Sequence, residues 1–190
     1  MNTIQTRILF TLTLIISLFS CTAQTLPLNT ALFDIPNGAS VKDTNNELAP
    51  YIGTYKANFN GFETTLYVTK EENKLQERST KLFYRDALVI KYIVRNSSGT
   101  ILQDTQNNNS DIASIFSIST EPSENTVTFI YRGTNCNVGF GSIKLKKINS
   151  TQISWEYRPN DITTTAAKCP PTLDTTIYLP ETKDLIFTKQ

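Results

Sequence analysis

The residues able to do chemistry are few, and their types limit what the chain can catalyse. Its 190 residues contain no histidine. A Ser-His-Asp triad, a Cys-His nucleophile pair and the zinc sites that need imidazole are therefore excluded. Three cysteines are present, Cys21, Cys136 and Cys169, and no C-x-x-C pair occurs among them. Carboxylates are the other candidates. Glu63 and Glu156 lie in aromatic-flanked segments, and Asp86 follows Arg85. A glycosidase needs two acids about 5–10 Å apart in one cleft, and nothing in the spacing brings these together. "DTNNE" from Asp43 and "DTQNNNSD" from Asp104 supply oxygen ligands without the glycine-spaced aspartates of a calcium loop. They read as polar turns. "RGTNCNVGFG" from Arg132 is not a Walker motif, and no helical pattern follows it to aim an N-terminus at phosphate. Its glycines are expected to serve a turn and a bulge. No metal or cofactor site is expected, and the chain reads as non-enzymatic.

Cys21 has a different kind of chemistry. Arg7 precedes an apolar run, Ile8 to Phe19, interrupted only by Thr11, Thr13 and Ser17. A membrane-spanning helix needs about 20 apolar residues, and this run is shorter. It has the length and flanks of a secretory leader. Leu18-Phe19-Ser20-Cys21 resembles a bacterial lipobox, with Phe19 where smaller residues are commoner. In that reading residues 1–20 are the signal peptide, and the Cys21 thiol carries a diacylglycerol thioether that holds the protein on a membrane. Cys21-Thr22-Ala23 is also a small-x-small site. Cleavage after Ala23 would discard the thiol and leave a soluble periplasmic or secreted chain. Both alternatives imply export.

An exported chain meets an oxidising compartment, so Cys136 and Cys169 are expected to form a disulfide joining a loop to a strand end. Two free buried thiols are the alternative. Charge bounds the partners. The chain has 18 basic and 17 acidic residues, and losing Arg7 with the leader leaves 17 of each. Nucleic acid binding needs a basic face, so no nucleic-acid partner is expected.

The elements that must carry these residues begin with an arm. Residues 21–50 are punctuated by Pro27, Pro36, Gly38 and Pro50 and show little periodicity. From Tyr51 the period becomes two. Asn60-Gly61 between aromatic-rich runs is a strong hairpin signal. Leu66 and Val68 share one face; so do Val127, Phe129 and Tyr131, then Ile143 and Leu145, then Ile153, Trp155 and Tyr157. "ALVIKYIV" (Ala87 to Val94) reads as a central strand, Asn96 to Gly99 as its turn, and Leu185-Ile186-Phe187 as a closing strand. Ile112 to Phe116 fits a capped helical turn after Ser110 or Asp111 as well as it fits a strand. The lysines of "KLKK" from Lys144 read as the wet side of a strand. The expected fold is all-β: an antiparallel barrel or sandwich of about eight strands over residues 51–190.

Two resemblances add to this. Tyr51-Ile52-Gly53-Thr54-Tyr55 resembles the opening strand of lipocalin-type barrels, where an aromatic ring plugs one end and an arginine stacks on it. Here Tyr55 stands for the usual tryptophan and Lys189 for the arginine. "LPLNT", "IPNGA", "KDTNNEL" and "YIGTYKANF", in this order after the leader, resemble a family of small bacterial envelope proteins known only as a domain of unknown function. That likeness implies an envelope location and transfers no catalytic residue. Tyr55 and Trp155 are candidates to line a ligand cavity, with core filling as the alternative. A ligand-binding or structural barrel is expected. A protein-interaction module using a strand edge or the arm stays open, as does a carboxylate-dependent hydrolase.

Overall fold

The computed structural model describes residues 24–78, 80–107 and 112–190. The leader, Cys21, the Ala23 cleavage site and the Ser110/Asp111 cap lie outside them.

The hairpin signal is where the barrel begins. Asn60 and Gly61 take φ of 49° and 81°, the two positive values that a type I′ turn requires. They join β3 (Gly53–Phe59) to β4 (Phe62–Arg78), paired from Gly53↔Val68 to Phe59↔Phe62. β4 pairs with β5 (Lys81–Arg95). The meander continues through β7 (Ile115–Glu121), β8 (Thr126–Tyr131), β9 (Gly141–Lys147), β10 (Gln152–Pro159) and β11 (Thr182–Lys189). β11 returns to β3 through Thr188↔Lys56 and Lys189↔Tyr55. Val89↔Phe116 and Ile90↔Ile115 join β5 to β7. Eight antiparallel strands, each beside its neighbour in this order, thus close an up-and-down barrel. Three more strands extend the sheet from β5: β2 (Ser40–Lys42) pairs with it in parallel, β1 (Thr25–Pro27) pairs in parallel with β2, and β6 (Ile101–Asp104) folds back on β5 from the Asn96–Gly99 turn. Among the described residues there is no α-helix, only four short 3-10 turns.

Closure rather than a sandwich follows from the unbroken ring of pairs, with β11 on β3 and β5 on β7, and the alternation fills its interior. Leu66, Leu88, Ile90, Tyr92, Val127, Phe129, Tyr131, Ile143, Leu145, Ile153, Trp155, Tyr157 and Phe187 are at most 1% exposed and form one core. Lys144 and Lys146 stand outside it.

Two expectations need revision, and one open alternative is decided. The arm is not irregular throughout: β1 and β2 add to the sheet, and Leu28, Ile35, Val41 and Leu48 enter the barrel's own core. Its periodicity is hidden because prolines separate the buried residues. Of the two alternatives for Ile112 to Phe116, the strand is the one adopted. Ala113 sits at φ 58° and the chain enters β7 at Ile115. Strands β4 and β5 run far beyond the apolar segments at Leu66–Val68 and Ala87–Val94, because "EENKLQER" pairs with "KLFYRD" across a bulge between Glu71 and Lys74. That half of the hairpin is largely polar, so it lacks the alternating apolar signal.

Candidate functional site

One end of the barrel is sealed by the arm. Tyr51 ends a 3-10 turn, Gly53 opens β3, and Tyr55 points inward at 1% exposure. The Lys189 ammonium lies 5.8 Å from the centre of the Tyr55 ring and donates 2.8 Å to the Ile52 carbonyl. A Cβ on Gly53 would stand 2.5 Å from Lys189 Cε. This is the aromatic-plus-cation seal anticipated from the lipocalin-type likeness.

Nearby, a polar clasp binds the arm to the barrel. The Asp86 carboxylate accepts from Lys42 Nζ at 3.1 Å, Asp43 N–H at 3.1 Å and Asn73 N–H at 3.0 Å. Burial pushes its pKa up; the backbone N–H groups of Asn73 and Asp43, with Lys42, outweigh burial and hold it below the usual range. Asp43, from the "DTNNE" turn, accepts from Glu47 N–H at 2.6 Å and Lys70 Nζ at 2.9 Å. Its oxygens serve the turn and the clasp. Arg85 is 2% exposed and donates to the Leu28 carbonyl; burial lowers its pKa to about 10.

The opposite end is the mouth. The β10–β11 connection crosses it and is tied down by the Cys136–Cys169 disulfide, with Cα atoms 5.7 Å apart. The bond joins two loops rather than a loop and a strand end, because β10 stops at Pro159, well before Cys169. Leu179 turns inward at 3% exposure, and Trp155 Nε1 donates 2.9 Å to the Pro180 carbonyl. Beneath them Tyr157 donates to the Gly139 carbonyl, and the Tyr92 and Tyr131 hydroxyls meet at 3.3 Å. Burial is the leading cause that raises all three tyrosine pKa values.

Between the crossing segment and the β3–β4 turn lies a cleft of about 300 Å³. Phe59, Phe62, Leu102, Ile177, Tyr178 and Leu179 form most of its wall. Thr64 also lines it; the residue is 1% exposed, and its hydroxyl is buried without a hydrogen-bond partner. No residue type or spacing singles out Thr64, since only the sheet register aims it there. Tyr55 and Trp155, the sequence candidates for cavity lining, sit in the core and do not line this cleft. Trp155 touches it through the carbonyl of Pro180. Each candidate acid is paired with a nearby cation. Glu63 pairs with Lys56 at 3.1 Å, Glu156 with Arg158 at 2.5 Å and Asp86 with Lys42.

Fold and site together define a small closed β-barrel, sealed at one end and bridged at the other by a disulfide-tied segment. The sequence matches, over residues 4–190, a family described as a family of unknown function, DUF6705, and the chain belongs to that family. No curated protein and no solved structure matches it.

Proposed function

We propose that this chain is an exported, non-enzymatic binding protein of the cell envelope, anchored to a membrane through a lipid on Cys21, that takes a small, mainly apolar ligand at the mouth of its barrel. The mouth cleft carries the reading: aromatic and aliphatic walls surround one buried hydroxyl, Thr64 Oγ1, with no partner. A buried polar group left unpaired costs about 1–3 kcal/mol. A ligand with a single polar group recovers that energy while covering the apolar wall. The volume is at the low end for small-molecule sites, so the ligand is compact. Export is supported by the leader pattern and by a disulfide of the kind that persists outside reducing compartments.

The test uses 2-naphthol and naphthalene, which differ by one hydroxyl. Titration is followed by fluorescence of Trp155, the single tryptophan, which is hydrogen-bonded to the cleft wall. The expected result is a preference for 2-naphthol of roughly tenfold, about one hydrogen bond's worth, abolished in Thr64→Val. Absence of binding by either probe refutes a mouth site. Intact mass of the protein taken from its native membrane decides the anchor: diacylglycerol on Cys21 supports it, and a chain beginning at Gln24 overturns it.

A second reading is favoured by one surface. Alternation places Leu75, Leu82 and Tyr84 on one face of the long hairpin, at 56%, 48% and 45% exposure. The arm holds the same hairpin from its other face, where Lys81 Nζ donates 2.7 Å to the carbonyl of Phe33, itself 91% exposed. Apolar exposure of this kind fits a protein partner that docks on the arm and hairpin. Phe33→Ser with Leu82→Ser would then abolish crosslinks formed in intact envelopes; unchanged crosslinks would remove the reading.

A further inference from the structure

The long hairpin reaches past the sealed end of the barrel. β3 lies beside β4 only as far as Gly53↔Val68, and β4 runs on to Arg78 before β5 returns from Lys81. Across this overhang Leu75 pairs with Tyr84 and Glu77 with Leu82. Alternation puts the four on one face, and Leu75, Leu82 and Tyr84 are exposed there. The arm holds the other face and the edge. Lys81 Nζ donates to the carbonyls of Phe33 and Ile35 at 2.7 and 3.0 Å, and Gly38 N–H donates to the Leu82 carbonyl at 2.7 Å. Leu32 and Phe33, in the 3-10 turn of that arm, are exposed as well. These five apolar side chains stand in water at one end of the molecule, on both sides of a single ribbon. Apolar exposure gathered in this way marks an interaction surface.

The described chain starts at the same end. The Gln24 carbonyl accepts from Ser40 N–H at 2.9 Å. One row of strand partners then crosses four strands, Thr25↔Ser40↔Tyr84↔Leu75. Neighbouring strands are about 4.8 Å apart, which puts Tyr84 roughly 10 Å from Thr25. Cys21 precedes Thr25 by four residues, a reach of at most about 14 Å. A lipid on Cys21 would hold the overhang on a short tether to the bilayer, and a short tether gives a roughly millimolar effective concentration. Weak apolar contacts are then enough for docking. The charges at this end are of both signs, Asp34 and Glu77 with Arg78 and Lys81, so the contact is apolar rather than selective for anionic lipid.

We propose that the overhanging hairpin and the 3-10 turn of the arm dock end-on into the interface of the membrane that carries the Cys21 lipid, with Phe33, Leu82 and Tyr84 entering the acyl boundary. This rests on the reading of Cys21 as the acylated residue. Tyr84 suits that depth, since its ring is apolar and its hydroxyl stays wet. The orientation bears on the binding site. β5 runs from the overhang to Arg95, which pairs with Glu63 beside the β3–β4 turn that lines the mouth cleft. Docking at the overhang therefore turns the mouth away from the membrane, and the cleft takes its ligand from the aqueous side. The second reading above gives the same surface to a protein; the place where the chain starts favours the membrane.

The test uses the acylated chain, purified from its native membrane and reconstituted in phosphatidylcholine vesicles whose acyl chains carry bromine near the headgroup. Phe33→Trp and Leu82→Trp each place an indole on the overhang, and Ile101→Trp places one beside the mouth; Trp155 is buried and supplies a common background. Interfacial docking seats side chains about 5–10 Å into the headgroup and acyl boundary, so bromine is expected to lower the added emission roughly twofold at positions 33 and 82. Position 101 should be unaffected. Hydrogen exchange of the unsubstituted acylated chain, in vesicles against detergent, should slow at Leu32–Asp34 and at the hairpin tip, which tests docking without any variant. Acylated chains that escape quenching at 33 and 82, with exchange unchanged, overturn docking and leave the anchor standing. Envelope crosslinks that depend on Phe33 and Leu82 then assign the surface to a protein. Quenching at position 101 instead reverses the orientation and also overturns the proposal. A mass that shows no acyl group on Cys21 overturns the anchor and the docking together.

Discussion

Opening the Cys136–Cys169 bond separates two roles of the segment that crosses the mouth. The bond closes a loop spanning a sequence separation of 33 that contains β9 and β10. In the chain-entropy treatment a loop of this length restrains the unfolded state by about 3–4 kcal/mol at 25 °C. For a domain of this size that corresponds to a fall in Tm of roughly 6–16 °C. The native structure should change much less. Leu179 is buried in the core and Trp155 holds the Pro180 carbonyl, both independent of the sulfur atoms. The Cys136→Ala, Cys169→Ala double variant is therefore expected to lose stability in urea while its tryptophan emission below the transition stays where the oxidised protein has it. Paired urea titrations, read by Trp155 fluorescence and far-ultraviolet circular dichroism, measure both quantities. A loss below about 1 kcal/mol would show that the loop is already restrained in the unfolded chain. A red-shifted native emission would show that the disulfide, rather than Leu179 and Trp155, seats the segment, and the reasoning would fail.

Two further outcomes follow from the sealed end. Gly53→Ala should cost roughly 1–3 kcal/mol, because φ there is 151° and the new methyl meets Lys189; the cost should persist in a Lys189→Ala background, since the backbone angle is the larger burden, and urea midpoints of the four chains test this. Asp86 has a folded pKa depressed below its ordinary 3.8, so its contribution is present above that value and lost as pH falls through the folded value. Asp86→Asn should lower stability at pH 7 by about 2 kcal/mol and flatten the loss as pH falls below its ordinary 3.8, as measured by denaturation at a series of pH values.

The barrel was legible where one face is dry and the other wet. Val127, Phe129 and Tyr131, or Ile153, Trp155 and Tyr157, announce both the strand and its buried side. Asn60-Gly61 announces the turn through two positive φ values, and the absence of histidine bounds the chemistry. The sequence was silent where strands carry no apolar rhythm: "EENKLQER" pairs along a largely polar stretch, and the arm's β1 pairs with a β2 of three residues that itself pairs with β5. The mouth cleft was hidden for a related reason. Thr64 is an ordinary residue by type, and only cross-strand register leaves its hydroxyl buried and unpartnered. Tyr55 and Trp155 drew attention as aromatics, yet large rings in a narrow barrel are its filling.

Pairing of Lys56 with Thr188 and of Tyr55 with Lys189 has a consequence for when the molecule can exist at all. A chain that emerges from a ribosome or a translocation pore N-terminus first delivers β3 early and β11 after every other strand. Until then Trp155 and Phe187 lack the neighbours that cover them, and the sheet has no way to shut. Folding is therefore deferred until delivery is nearly complete, and a product truncated before Thr182 would be left as an open, adhesive sheet for proteases to remove.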